Sequence, residues 1–215
     1  MEQLSCPNMK RTSQRHSVPR PPAEATGDAS VIADTKVWLE RAVIGLNLCP
    51  FAKAEYVNQR IRYVVSPARS KAALLRELAD ELQSLIATDP MVRETTLLIH
   101  PHVLADFAAY NQFLDQTDAL LRRLKLEGIV QLATFHPDYQ FAGTSADDIT
   151  NYTNRSPYPM LHLLREASVG RAVAGYPDAA HIVNRNLETL RRLGVDGWKK
   201  LGIPRPSSSS GMVGD

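Results

Sequence analysis

The residues of this chain best equipped for chemistry are Cys49, His136 and Asp138, with Arg155, Ser156, His162 and Arg165 a short way downstream. A cysteine attacks well when an imidazolium or a helix N-terminus lowers its pKa, and His136 is one group able to do that for Cys49. In extended chain, residues i and i+2 point the same way, so Asp138 is placed to orient the His136 ring. Asp147 and Asp148 add carboxylates for acid–base work. A bland reading stands beside this one. Cys49 continues an apolar helix stripe and suits a core thiol. Likewise, His136 and Asp138 suit a strand end followed by an Asx turn.

Arg155 and Ser156 precede an apolar run and suggest an anion site, because exposed N–H groups at a helix N-terminus attract anions and the arginine fork adds bidentate contacts. Asn154 and Tyr139 fall in the same stretch as further ligand-contacting candidates. If Ser156 caps a helix with Pro157 in its first turn, His162 and Arg165 lie one turn apart on one face. The plainer alternative is a capped helix whose Arg155 pairs with Asp147 or Asp148. His100, His102, His136 and Cys49 make a possible zinc set, which would give a zinc-dependent hydrolase, yet their spacing matches no zinc-finger pattern. Structural histidines are the competing reading, and no metal ligand is assigned. Nothing in the sequence specifies a cofactor or an oligomeric state.

These residues sit in one long stretch, from Phe135 to Glu166. A connection of about twenty residues exceeds the usual length of roughly 4–6 and marks a functional or an ordered covering loop. Its aromatic and aliphatic anchors, Tyr139, Phe141, Ile149, Tyr152 and Tyr158, speak against disorder.

Three short β-branched runs position the stretch: 61–65, 95–99 and 129–135. They end in Ser66-Pro67, His100-Pro101 and His136-Pro137, and their prolines are 34 and 36 residues apart. The residue before proline favours extended geometry, so each dipeptide suits the end of a strand. Amphipathic helices are expected over 70–87 and 103–125, so the spacing is that of βαβ units with parallel strands. The expected fold is α/β: a small, mostly parallel three-stranded sheet with flanking helices and a helical C-terminal part. A ferredoxin-like antiparallel sheet is the rival. Parallel strands would gather Ser66, His100, His102 and His136 at one carboxyl edge, where open α/β sheets bind ligands. A helix is expected over 31–48, stopped by Pro50. Two more are expected after the long loop, one from Ser156 to Gly170 and one from Asp178 to Gly194.

Composition sets the outer limits. The 215 residues are 22% charged and 44% hydrophobic with a net charge of +2, an ordinary globular balance without a nucleic-acid footprint. No apolar run is long enough for a membrane span, and no secretory signal opens the chain. Residues 1–29 and 204–215 read as disordered tails around a single domain over 30–203. Cys6 then lies in a tail, so a structural disulfide with Cys49 is not expected, which suits a reducing compartment. Asn151 and Asn154 match the glycosylation pattern, here read as coincidence.

The segments GLNLCPFAKAEY (45–56), YNQFLDQTDALL (110–121), LATFHPDYQFAG (132–143) and NYTNRSPYPMLHLLREASV (151–169) resemble a bacterial family described only as a domain of unknown function. The resemblance covers about 33–200. It implies a bacterial, cytoplasmic protein and carries no activity, cofactor or catalytic residue. The residues themselves point to a small-molecule enzyme acting on an anionic substrate. The alternative is a non-catalytic ligand-binding or interaction module using the same pocket.

Overall fold

The computed structural model describes residues 27–175 and 181–205. The expected tails fall mostly on residues 1–26 and 206–215, outside that range. Helix α1 (Asp28–Trp38) runs on into a π-helical segment (Leu39–Ile44), and a short α2 (Ala52–Val57) follows. Then come β1 (Ile61–Val65), α3 (Lys71–Ala87), β2 (Thr95–Ile99), α4 (Phe107–Arg123) and β3 (Val130–Phe135). A single 3₁₀ turn (Ile149–Thr153) interrupts the long loop before β4 (Met160–Arg165), α5 (Glu166–Ala174) and α6 (Ile182–Lys200). Ser70 caps α3 by accepting the Ala73 N–H, and Asp106 caps α4 by accepting the Ala109 N–H, each satisfying an amide the helix itself leaves open. No helix among the described residues is long and apolar enough to cross a membrane.

The sheet has four strands, not three, in the order β1-β2-β4-β3. Strands β1 and β2 pair in parallel, while β4 pairs antiparallel with both β2 and β3. The sheet is therefore mixed, which corrects the expectation of a mostly parallel one. The three expected strands do run in one direction, so their carboxyl ends still share an edge. What differs is that β4 lies between β2 and β3.

The segment from Ser156 is expected to be a helix, but its middle, Met160–Arg165, is the internal strand β4, and helix begins only at Glu166. Two physical facts explain the difference. Pro159 pushes Tyr158 to extended geometry and offers no N–H of its own. Met160, Leu161 and Leu163 are fully buried, as in a strand covered on both faces, and a short apolar run of that kind has no period that tells helix from strand.

Helices cover both faces. Leu98, Val130, Leu161 and Leu163 pack under α3 and α4 with Leu74, Leu78, Phe113 and Leu120. On the other face Leu97, Ile99 and Met160 pack with Val31, Trp38, Ala42, Leu190 and Trp198 of α1, the π segment and α6. The expected stop at Gly194 is a local break, with φ of 65° inside α6, after which the helix resumes and carries Trp198 into this core.

The π segment depends on Gly45, whose amide bonds the Glu40 carbonyl at 2.9 Å. A Cβ at Gly45 would lie 2.4 Å from the Arg41 carbonyl oxygen, a backbone atom that cannot swing away. We expect Gly45→Ala to cost on the order of 1–3 kcal/mol in urea unfolding, as overpacking does. Gly170→Ala, at a position with nothing within 4 Å, should instead leave stability unchanged or raise it by up to about 1 kcal/mol. Equal effects of the two substitutions would contradict the steric account.

Candidate functional site

Ser66, His100 and His136 each follow the last residue of β1, β2 and β3. Side chains alternate along a strand, so all three point to the face covered by α3 and α4. All three are fully buried. The Ser66 hydroxyl donates to the Glu77 carboxylate of α3 and accepts the Ala68 N–H.

The two imidazoles flank Tyr110, with ring centroids 5.7 Å (His100) and 5.2 Å (His136) from its ring. The Tyr110 hydroxyl donates to the Met160 carbonyl at 2.9 Å. His100 Nδ1 lies 3.0 Å from the Val103 carbonyl, which can only accept, so the proton sits on Nδ1. Its Nε2 is buried without a hydrogen bond. Desolvation pushes the His100 pKa down to about 4, against the bond to Val103 and with the help of nearby His136. By the same logic His136 carries its proton on Nε2, 3.1 Å from the Leu104 carbonyl. Its Nδ1 accepts the backbone N–H of Asp138 at 3.0 Å. The group at Nδ1 is thus a peptide amide, while the Asp138 side chain reaches an exposed position.

The long loop is held by its own polar side chains. Asn151, fully buried, accepts from the Phe141 amide at 2.9 Å and the Thr144 hydroxyl at 2.8 Å, and donates to the Ser145 carbonyl at 2.8 Å. Asp148 starts the 3₁₀ turn by accepting the Thr150 amide and hydroxyl, and these bonds, the hydroxyl first, lower its pKa. Asn154 donates to the Thr134 carbonyl at 3.0 Å, and its own carbonyl accepts the His136 amide at 3.2 Å. Arg155 donates from Nε to the Tyr139 carbonyl at 3.1 Å and from Nη2 to the Ala146 carbonyl. Its guanidinium lies 4.4 Å from the centroid of the Tyr152 ring. The Trp38 indole N–H donates to the Arg155 carbonyl at 2.9 Å, which ties the loop to α1. Ser156 is a loop residue, not a helix cap, and donates to the Tyr158 carbonyl at 2.6 Å. Tyr158 in turn donates to Asp34 at 2.7 Å.

Where the loop meets α1 and the C-terminal end there is a small cleft lined by Trp38, Pro137, Tyr152, Arg155, Trp198 and Arg205, among others. Its volume of about 20 Å³ is room for one or two waters. Arg155 Nη1 makes no hydrogen bond among the described residues. Arg155 and Arg205 have no carboxylate partner among the described residues. An ordinary surface arginine ends in water or an ion pair, whereas Arg155 is fixed on an aromatic face.

The other candidates lie elsewhere. Cys49 is partly exposed and packs with the α1 and α6 layer, whereas the His136 ring packs on Phe107 and Tyr110 in the α4 layer. The sheet lies between those layers, so Cys49 and His136 are not brought into one cluster. His162 and Arg165 are strand residues three apart and point to opposite faces, which corrects the one-face helical reading. His162 faces the α1 side. The Thr95 hydroxyl gives its hydrogen to the Leu163 carbonyl at 2.6 Å and so accepts from His162 Nε2 at 2.7 Å. Burial pushes the His162 pKa down to about 4. Arg165 Nη2 donates to the Leu85 and Thr88 carbonyls, each at 2.6 Å, capping the C-terminal end of α3. The histidines and Cys49 do not assemble a metal site: no group of three or more His, Cys, Asp or Glu among the described residues could hold one.

The sequence singled out Arg155 but missed its partners Trp38, Tyr152 and Arg205. Trp38 lies 117 residues from Arg155 in sequence, and only the run of tyrosines and asparagines in the loop hints at its self-packing.

Fold and site together define an α/β domain with a mixed four-stranded sheet, whose strand edge is covered by a long hydrogen-bonded loop. The chain belongs to the family described as "Protein of unknown function (DUF1415)", which matches residues 30–200. No curated protein and no solved structure matches it.

Two neutral histidines, the buried His100 and the half-buried His162, make stability depend on pH. Both folded pKa values, about 4 for His100 and for His162, lie below the unfolded value of about 6.5. The unfolded chain therefore takes up protons first as pH falls. The stabilising effect is complete above about pH 6.5 and is lost between there and about pH 4, at about 1 kcal/mol per pH unit for each histidine. Urea midpoints measured across this window should fall accordingly, and His162→Gln should flatten the slope. A flat profile would mean that the imidazoles are already charged or hydrated in the fold.

Proposed function

We propose that this domain binds a small anionic ligand at the Arg155 cleft and that binding, not covalent chemistry, is its main activity. The observation that carries the reading is the Arg155 guanidinium. Two loop carbonyls and the Tyr152 face hold it in place, Nη1 makes no hydrogen bond among the described residues, and the residue lines a cleft together with Trp38 and Trp198. A guanidinium fixed in this way loses little entropy when it meets a carboxylate or phosphate, so few contacts suffice for selective binding. The cleft is smaller than a drug-sized site, which restricts the ligand to a small ion unless the rim moves. Calorimetric titration with small oxyanions should show saturable binding that is lost in Arg155→Lys, because lysine keeps the charge but cannot bond both loop carbonyls from a planar group and still present a fixed donor to the ligand. Retained affinity in that variant would remove Arg155 from the site.

A second reading makes the protein an enzyme in which Cys49, His136 and Asp138 carry out chemistry on the same kind of ligand. Partial exposure of Cys49 and exposure of Asp138 support it. Placement of Cys49 and His136 in separate packing layers weighs against it. In a chain lacking Cys6, iodoacetamide should label Cys49 slowly at neutral pH and at the same rate in His136→Ala. Rapid labelling that slows in His136→Ala would favour the enzyme.

A further inference from the structure

The cleft has a second cation, supplied from the C-terminal end of the described chain. Arg205 Nη2 lies 3.5 Å from the Tyr152 hydroxyl, while Arg155 covers the face of the same ring. Tyr152 is a fixed hub. It is 9% exposed and set edge-on against Trp198, with ring centroids 4.8 Å apart. Two guanidiniums from distant parts of the chain therefore converge on one immobile ring.

The segment that carries Arg205 is itself tethered. Arg41 Nη1 donates to the Leu201 carbonyl at 2.8 Å and the Gly202 carbonyl at 3.2 Å. Gly202 has φ of 59°, a left-handed turn that other side chains resist, and a Cβ there would meet Arg41 Nη1 at 2.9 Å. Ile203 and Pro204 then complete the cleft wall beside Trp38 and Trp198. Arg41, like Arg155 and Arg205, has no carboxylate partner among the described residues. Of these, Arg155 and Arg205 line the cleft, and two like charges there repel one another unless an anion sits between them.

We infer that Arg205 is a specificity-determining residue and that the ligand is a phosphoryl-type dianion rather than a monocarboxylate. This rests on the anion-binding reading of Arg155. A monocarboxylate carries one charge, with two oxygens in one plane, and neutralises one guanidinium. A tetrahedral dianion presents oxygens in several directions and carries the charge to neutralise two guanidiniums. The Leu201–Arg205 segment is the wall that supplies the second.

Intrinsic fluorescence tests this directly in the full chain, because the protein has two tryptophans and both line the cleft. Inorganic phosphate and acetate are titrated at constant ionic strength and mildly alkaline pH against the wild type, Arg205→Ala and Arg155→Lys. Phosphate should bind at least about tenfold more tightly than acetate, the scale of one charge-assisted contact. Arg205→Ala should weaken phosphate at least about tenfold and acetate far less, which abolishes the preference. Equal affinities in the wild type, or a preference that persists in Arg205→Ala, overturns the two-arginine clamp. In that case binding still lost in Arg155→Lys leaves the single-arginine site standing. If neither anion changes the emission, both readings fall.

Discussion

The structure depends on one antiparallel ladder, the pairing of β4 with β2 on one side and β3 on the other. Without β4 the strands β2 and β3 would each present an unpaired edge in the middle of the molecule. With β4 in place the chain must leave the carboxyl end of β3, turn back and re-enter between two strands that are already set by their crossover helices. The long loop is the consequence of that route. It has to cover the carboxyl edge, and its backbone groups must find partners away from the ladder. Asn151, Asn154 and Arg155 supply many of those partners, which is why polar side chains in the loop are buried or half-buried while they bond main-chain atoms.

That route also explains why a charged side chain is held so rigidly. Arg155 sits just before the chain turns into β4, where its carbonyl meets the Trp38 indole and its guanidinium reaches back across the loop. Arg155 spends Nε and Nη2 on loop carbonyls, as a loop tie would. It nevertheless has no carboxylate partner among the described residues, and it shares Tyr152 with a second arginine. Electrostatic self-repulsion of this kind destabilises the fold slightly.

Much of the frame was legible in the sequence. The β-branched runs and their X-Pro endings located β1, β2 and β3 and their common direction, because the residue before proline is a local constraint that tertiary structure seldom overrides. β4 was not legible. MLHLLR satisfies a helix stripe and a doubly covered strand equally well, and only the presence of two waiting strand edges decides between them. The same error propagated to His162 and Arg165, whose shared face existed only in the helix. Arg155 could be singled out by type, but its partners Trp38 and Arg205 are separated from it by long stretches of chain. Asp138 could be placed near His136 by spacing, yet the sequence could not tell that its backbone amide, not its carboxylate, would reach Nδ1.

The central claim is that insertion of β4 docks the loop onto α1 and so fixes Arg155 as a rigid cation at a cleft. The Trp38 indole N–H is the bond between loop and helix, and with two tryptophans in the chain its signal is simple to follow. Hydrogen exchange of the two indole N–H groups, read by nitrogen-correlated NMR, is the most direct measurement. A docked loop predicts that the Trp38 indole, 2% exposed and bonded to the Arg155 carbonyl, exchanges only on large-scale opening, as slowly as core amides of the sheet. Exchange at the rate of an open side chain, in protein whose β-sheet amides remain protected, would show that the loop is not held against α1 and that Arg155 is not fixed.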